Sequence, residues 1–238
     1  MKEGAQVTVP KDIDEAAKWI RKAAEQGNAS AQIKESAAYF LGRGVPKSTE
    51  EGWRWLEKAA SHEKCDLDVE NARYSLGSLY RHGRVGVSDQ EIDTIPNGRE
   101  AVRWLEKTAE CAGIDGSLAM GELADMYKTG DGVPQDYAEA AKWLRIGAEA
   151  GAASSQFDLA EMYRDGLGVP QDYVAAHMWF NLAAAPKFWS YRAGVERDSL
   201  AAKMTNGQIN EAQRLAREWR PKCGEEAAQV RALIQNNQ

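Results

Sequence analysis

Apolar residues fall along this chain at helical spacing, in paired segments separated by glycine and proline, and the pairs recur. Trp19, Trp55, Trp104, Trp143 and Trp179 occupy one slot of an A-x-x-W pattern, with Gly52 standing for the alanine before Trp55, at intervals of about 36 to 49 residues. A Val-Pro pair precedes four of them, at Val9, Val45, Val133 and Val169, and Tyr39, Tyr80, Tyr127 and Tyr163 recur in a second slot. The segments VPKDIDEAAKWIRKAAEQG (9–27) and VPQDYAEAAKWLRIGAEAG (133–151) are near copies, and the hexapeptide GVPQDY is written at Gly132 and again at Gly168.

Each unit predicts two helices. The first ends at the tyrosine and a GxG, as in Tyr163-Arg-Asp-Gly166-Leu-Gly168. Glycine there accepts the left-handed conformation that stops a helix, and the proline behind it bars continuation. The second helix starts at an N-cap with an acid three places on: Asp12/Glu15, Ser48/Glu51, Asn97/Glu100 and Asp136/Glu139. Asp172 keeps the cap but has Ala175 at the third place. Ala140, Ala141 and Ala148 flank Trp143, so paired helices can approach closely while the indole fills the gap. One such hairpin leaves its apolar face bare, and stacked neighbours complete the core.

The expected fold is therefore all-α: a right-handed α/α solenoid of helix–turn–helix repeats with a C-terminal capping helix pair. Residues 1–185 form the array, an N-terminal half-repeat (its helix over 13–26) and four full repeats, the second carrying an insertion. Residues 186–238 form the cap: Pro186 breaks the pattern, helices follow over 191–204 and 206–220, and 223–238 is a short helix or a frayed tail. Thr205 and Gln208 have the spacing of a capping box.

The pattern A-x3-L-[GA]-x2-Y-x2-G-x-G-V-x2-D…A-x2-W…A-A-E-x-G, over residues 9–185, resembles the Sel-one-like repeat family, relatives of tetratricopeptide repeats. MWFNLAAA (178–185) followed by AAKMTNGQINEAQRLAREW (201–219) is similar to the ending of many bacterial members. Glu35 departs from the pattern, standing where Leu76, Leu123 and Leu159 stand in the other units. The resemblance implies a non-enzymatic scaffold or adaptor that binds another protein through a concave groove. Such a protein serves in signalling or the cell envelope, or neutralises a secreted toxin as some relatives do. It also raises one alternative, a hydrolase of the β-lactamase type, because some cysteine-rich relatives are associated with β-lactams.

Composition narrows the partner class. A formal net charge of −6 shows no basic face for nucleic acid, and no stretch approaches the apolar length of a membrane span, so neither nucleic acid nor membrane insertion is expected. The N-terminus lacks the apolar run of a signal peptide, so the expectation is a soluble monomer, cytoplasmic as it stands and periplasmic or secreted if a leader has been removed. Cys65, Cys111 and Cys223 make no regular disulfide framework, although Cys65 and Cys111 both follow corresponding helices and a bridge between them stays open.

Several motifs resemble chemistry but sit in repeat slots. GVPQDY has glycine before a helix start, as phosphate sites do, yet Asp136 and Asp172 sit at that start and would occupy the free N–H groups. Ser61-His-Glu-Lys64 is an SxxK and Lys128-Thr-Gly130 a KTG, but both fall at helix ends and no SDN is present, so no catalytic residue is assigned. His62, His82 and His177 fall in unrelated slots. In the insertion, Asp89, Glu91, Asp93, Asn97 and Glu100 match calcium-loop spacing, but Thr94 replaces the required glycine and Pro96 spoils the turn. No metal or cofactor is expected, and the insertion is expected to be a solvated acidic loop.

What remains is the outward face of the first helices. Counted from the tyrosine, places −5, −2 and +1 read Lys34/Ala37/Phe40, Ser75/Ser78/Arg81, Glu122/Asp125/Lys128 and Asp158/Glu161/Arg164. Phe40, Arg81, Glu122, Asp125, Lys128, Asp158, Glu161 and Arg164 are the expected partner-binding residues. Phe40 would be the apolar anchor, and the acids would steer a basic surface.

Overall fold

Four hydrogen bonds of one kind organise the protein. In the computed structural model, which describes residues 13–87, 90–93, 97–111, 114–222 and 226–236, the tyrosine carbonyl at each first-helix end accepts from the N–H of the next helix's N-cap. The pairs are Ser48 to Tyr39 at 3.0 Å, Asn97 to Tyr80 at 2.7 Å, Asp136 to Tyr127 at 2.8 Å and Asp172 to Tyr163 at 2.9 Å. The N-cap side chain then turns to the new helix: Asp136 accepts from Ala138 and Glu139, and Asp172 from Val174 and Ala175. Those N–H groups are thereby filled, which is why neither GVPQDY is a phosphate cradle.

The glycines of this turn do two jobs. Gly166, at φ 69°, ends its helix in the left-handed region. Gly168 is also left-handed, and a Cβ there would lie 2.0 Å from the carbonyl oxygen of Tyr137, so the backbone of the preceding second helix passes against it.

The helices in chain order are α1 (Ile13–Glu25), α2 (Ala29–Leu41), α3 (Thr49–Ala60), α4 (Leu67–His82), α5 (Gly98–Ala109), α6 (Ile114–Thr129), α7 (Tyr137–Ala150), α8 (Ala153–Asp165), α9 (Tyr173–Ala183), α10 (Ser190–Ala201), α11 (Asn206–Glu218) and α12 (Glu226–Asn236). This is the α/α solenoid pattern of alternating first and second helices. The insertion between α4 and α5, expected to be a solvated acidic loop, forms a two-stranded sheet, β1 (Arg84–Val87) and β2 (Gln90–Asp93). The bond from Asn97 to Tyr80 keeps the repeat's own turn closed, so the extra residues form a separate hairpin instead of stretching the turn. Asp89, Thr94 and Pro96 lie outside the described residues, as does Asp12.

Two compact units result, residues 1–72 with 86–92, and residues 73–85 with 93–238. In the first, α1, α2 and α3 pack in sequence. Glu35, in the leucine slot, is buried, and Arg21 donates to its Oε1 through Nε at 2.8 Å and Nη2 at 2.6 Å. Hydrogen bonding to Glu35 raises the Arg21 pKa. A buried carboxylate is tolerated because its cation arrives with it. Phe40 is also buried, at 3% exposure, because Gly52 leaves room: a Cβ there would stand 2.6 Å from the ring. The exposed anchor expected of Phe40 is thus corrected to a core contact.

In the second unit Leu76, Leu105, Leu123, Trp143, Phe157 and Phe180 are essentially fully buried. The tryptophan slot is core at Trp104, Trp143 and Trp179 but not at Trp19, which is 63% exposed on α1. Helix α7 packs against both α6 and α8, whereas α1, the first described helix, packs on α2. The cap forms α10 and α11 against α9, and Thr205 and Gln208 complete the capping box. Residues 226–236 are a helix, docked on α7 and α5 with Val230 fully buried. Cys65 and Cys111 are both disulfide-bonded, and Cys223 lies outside the described residues.

The place two residues after each tryptophan has its own pattern. Arg21 donates to the Tyr39 hydroxyl at 2.6 Å and Arg145 to that of Tyr163 at 2.8 Å. In the intervening α5 this slot holds Glu106, whose carboxyl is pushed up to about 7 by burial, then by Glu110 and Glu139. Burial, with Glu106 as the largest neighbouring charge, pushes the Tyr127 hydroxyl up to about 12.

Trp143→Ala is expected to lower stability by about 3–5 kcal/mol in urea denaturation, and an unchanged midpoint contradicts the packing register. Glu106 binds its proton more tightly in the folded chain, so its contribution is complete below the ordinary carboxylate pKa of 4.5 and is lost as pH rises toward about 7. Glu106→Gln should therefore raise the melting temperature more at pH 8 than at pH 5. An equal effect at both values refutes the shift.

Candidate protein-binding face

On α4, α6 and α8 the helical period places the tyrosine's −5, −2 and +1 positions together, away from Leu76, Leu123 and Leu159. In the second unit the charges at these positions are spoken for unequally. Arg81, only 9% exposed, binds Asp125 of α6 and donates to Asp131 of the following turn at 3.0 Å, with Glu122 at 3.8 Å. Glu122 accepts from the Tyr74 hydroxyl at 2.6 Å through Oε1, while its buried Oε2 has no hydrogen-bond partner among the described residues. Burial lowers the Arg81 pKa, but Asp125, Asp131 and Glu122 outweigh it and the net shift is upward.

Arg164 of α8 binds Asp165 at 2.8 Å, Glu196 of α10 at 2.7 Å and, more loosely, Glu161 at 3.6 Å. Its pKa rises, chiefly through the hydrogen bonds to Asp165. Asp158 of α8 makes no ion pair among the described residues, and its charged neighbours are Lys128, Arg192 and Asp125. Burial raises its pKa, Lys128 and Arg192 pull it back, and Asp125 adds to the rise. Glu161 is raised by burial in the same way and lowered by Arg164. The face thus has two cations neutralised in place and two partly desolvated carboxylates, Asp158 acted on by Lys128 and Arg192 and Glu161 by Arg164.

The sequence-expected residues separate accordingly. Arg81, Glu122, Asp125, Lys128, Asp158, Glu161 and Arg164 stand on the outward side of α4, α6 and α8. Phe40 belongs to the other unit and is buried. The hydrogen-bond donor Tyr74 and the ion-pair partners Asp131, Asp165 and Glu196 escaped sequence analysis. Tyr74 and Asp165 lie on first helices but off the counted −5, −2 and +1 places, and Asp131 and Glu196 lie in a turn and in the cap helix.

Elsewhere, the other motifs serve the repeats. Ser61 caps α3 and its hydroxyl donates to the Glu57 carbonyl at 2.7 Å. Lys128-Thr-Gly130 closes α6, with Thr129 donating to the Asp125 carbonyl at 2.8 Å and Gly130 left-handed. Asn97 caps α5, and Glu100 pairs with Arg103 at 3.1 Å, so both have structural work outside any calcium loop. His62 bonds the buried Gln32 at 2.9 Å, His82 is exposed at the end of α4, and His177 is buried, with burial lowering its pKa. Among the described residues, no three His, Cys, Asp or Glu side chains group as metal ligands, and no helix is long and apolar enough to cross a membrane.

Comparison with known proteins agrees with this architecture. The Sel1 repeat pattern matches residues 2–28, 29–63, 71–112, 117–151 and 153–185. A Sel1 repeat protein from Oxalobacter formigenes of known crystal structure is 30% identical over 80% of this chain and 50% of its own, with a TM-score of 0.59. The Escherichia coli protein c5321, a protective antigen of uropathogenic strains with an SLR fold, is 22% identical over 97% of this chain and 60% of its own, with a TM-score of 0.43. The chain therefore spans 50% and 60% of the lengths of these two structures. No curated protein matches. With five repeat matches covering most of its length, the chain belongs to the Sel1 repeat family.

Proposed function

We propose that this protein is a scaffold that binds a partner protein along the outward face of α4, α6 and α8, with the carboxylates Asp158 and Glu161 steering a basic surface onto it. Sel1 repeats serve generally as protein-interaction scaffolds, not as enzymes. The observation that carries the assignment to this face is the charge arrangement. Arg81 and Arg164 are each committed to carboxylates on a neighbouring element, while Asp158 is half-buried without a cation in contact among the described residues. A lysine or arginine brought to it would offset the cost of that burial by favouring the ionised carboxylate.

The disulfide-bonded state of Cys65 and Cys111 supports an oxidising compartment. A role as an envelope regulator, or as a protein that neutralises a secreted toxin, accords with that placement.

The test is recovery of partners from the source organism on immobilised protein, compared with the Asp158→Lys, Glu161→Lys double variant. The variant should keep the wild-type melting temperature within a few degrees and lose the main partner. Full retention of every wild-type partner removes this face from the function.

A further inference from the structure

A crevice of about 570 Å3 opens between α7 and the C-terminal helix α12. Its walls are mostly apolar: Ala138, Ala141 and Ile146 of α7, Val169 of the turn after α8, and Ala232 and Leu233 of α12. Helix α12 is held over it. Val230 is fully buried, and Leu233 and Ile234 pack on the core. The chain leading into α12 is tied to α7 by Lys222, whose N–H donates to the Glu149 carbonyl at 2.8 Å and whose ammonium pairs with the Glu149 carboxylate at 2.9 Å. An occupant of the crevice therefore fits beneath α12 and does not replace it. A volume of several hundred Å3 is that of a small-molecule site.

The repeat supplies a second copy of this site for comparison. In the first unit Ala17, Lys18, Arg21, Gly44 and Val45 line a notch of about 280 Å3. Their equivalents in the near-copy segment are Ala141, Lys142, Arg145, Gly168 and Val169, which all line the larger crevice. Gln229, Ala232 and Leu233 of α12 add the further wall. The arginines differ in what they hold. Arg21 donates to the Glu35 carboxylate at 2.8 and 2.6 Å and to the Tyr39 hydroxyl at 2.6 Å. Arg145 donates to the Tyr163 hydroxyl at 2.8 Å, but Leu159 stands in the place of Glu35, and Arg145 makes no ion pair among the described residues. It is exposed, and most of its fork of N–H donors is left for a ligand. The other charges in the lining are already matched, Lys142 by Glu139 at 2.8 Å and Glu149 by Lys222.

We propose that this crevice binds a small carboxylate with an apolar body, of the size of a medium-chain fatty acid, its carboxylate on Arg145 and its chain between Ala141, Ile146 and Leu233. The first unit shows what an arginine in this slot takes when a carboxylate is at hand. Charge-assisted bonds from a guanidinium to a carboxylate are roughly twice as strong as neutral ones, so the head group is selected as well as the apolar body. None of the lining residues belongs to the outward positions of α4, α6 and α8, so this site and that face stand or fall separately.

Calorimetric titration of the full chain with octanoate, 1-octanol and octylamine tests the site. Octanoate is expected to bind at least about tenfold tighter than either comparator, because the three share an apolar body and only one brings a carboxylate to Arg145. Arg145→Gln should weaken octanoate about tenfold, leave 1-octanol unchanged and keep the melting temperature within a few degrees, since the side chain is exposed. Ala232→Trp, or Ala138→Trp from the α7 wall, fills the crevice from an exposed position and should abolish octanoate binding. Absence of octanoate binding overturns the proposal, as does equal affinity for 1-octanol or wild-type affinity in Arg145→Gln. Octanoate binding that survives in both crevice-filling variants places the ligand elsewhere and overturns it too. An amphipathic leucine–glutamate peptide that binds more tightly than octanoate and is lost in Arg145→Gln assigns the crevice to a protein segment, which also overturns it.

Discussion

A helical hairpin of this size has an apolar stripe it cannot cover alone, and the rest of the protein follows from covering it with the next hairpin. The turn between hairpin helices must be short and identical each time, or the stripes would not line up. The bond from each N-cap N–H to the preceding tyrosine carbonyl secures this, and it survives even where residues are inserted, between Tyr80 and Asn97. Left-handed glycines make the chain reversal, and the close backbone approach at Gly168 lets one hairpin sit against the last. Trp143 is then sealed from solvent, whereas Trp19, in the same sequence slot on α1, stands mostly exposed.

The outward surface inherits its chemistry from this stacking. Because first helices of successive hairpins lie side by side in the second unit, an arginine on one reaches carboxylates on the next. Arg81 does so to Asp125, and Arg164 to Glu196. These contacts neutralise the cations where they stand and leave Asp158 partly desolvated. The C-terminal helix α10 takes the place of another first helix in this row. It packs on α9 and reaches α8 through Glu196 and Arg192.

Much of the architecture was legible locally. Helix starts could be placed from Ser48, Asn97, Asp136 and Asp172 because an N-cap acts on N–H groups only two or three residues away. Helix ends could be placed because a left-handed glycine acts on its own backbone. The pairing of strands within the insertion was not foreseen because it depends on two segments meeting, and the acidic composition of residues 85–100 carries no alternation strong enough to announce it.

The sequence by itself determined the repeat, its turns and its caps, all of them properties set within a few residues or by a period. Only the tertiary structure decided what the side chains meet. Glu35 could be buried because Arg21, fourteen places earlier, closes on it. Phe40 lost its expected exposure because Gly52 on the next helix makes room for its ring. Tyr191 stayed in solvent because α10 turns Ala193 and Leu200 to the core instead. Burial and charge pairing are set by neighbours brought together across the chain, and no helical count along one segment contains them.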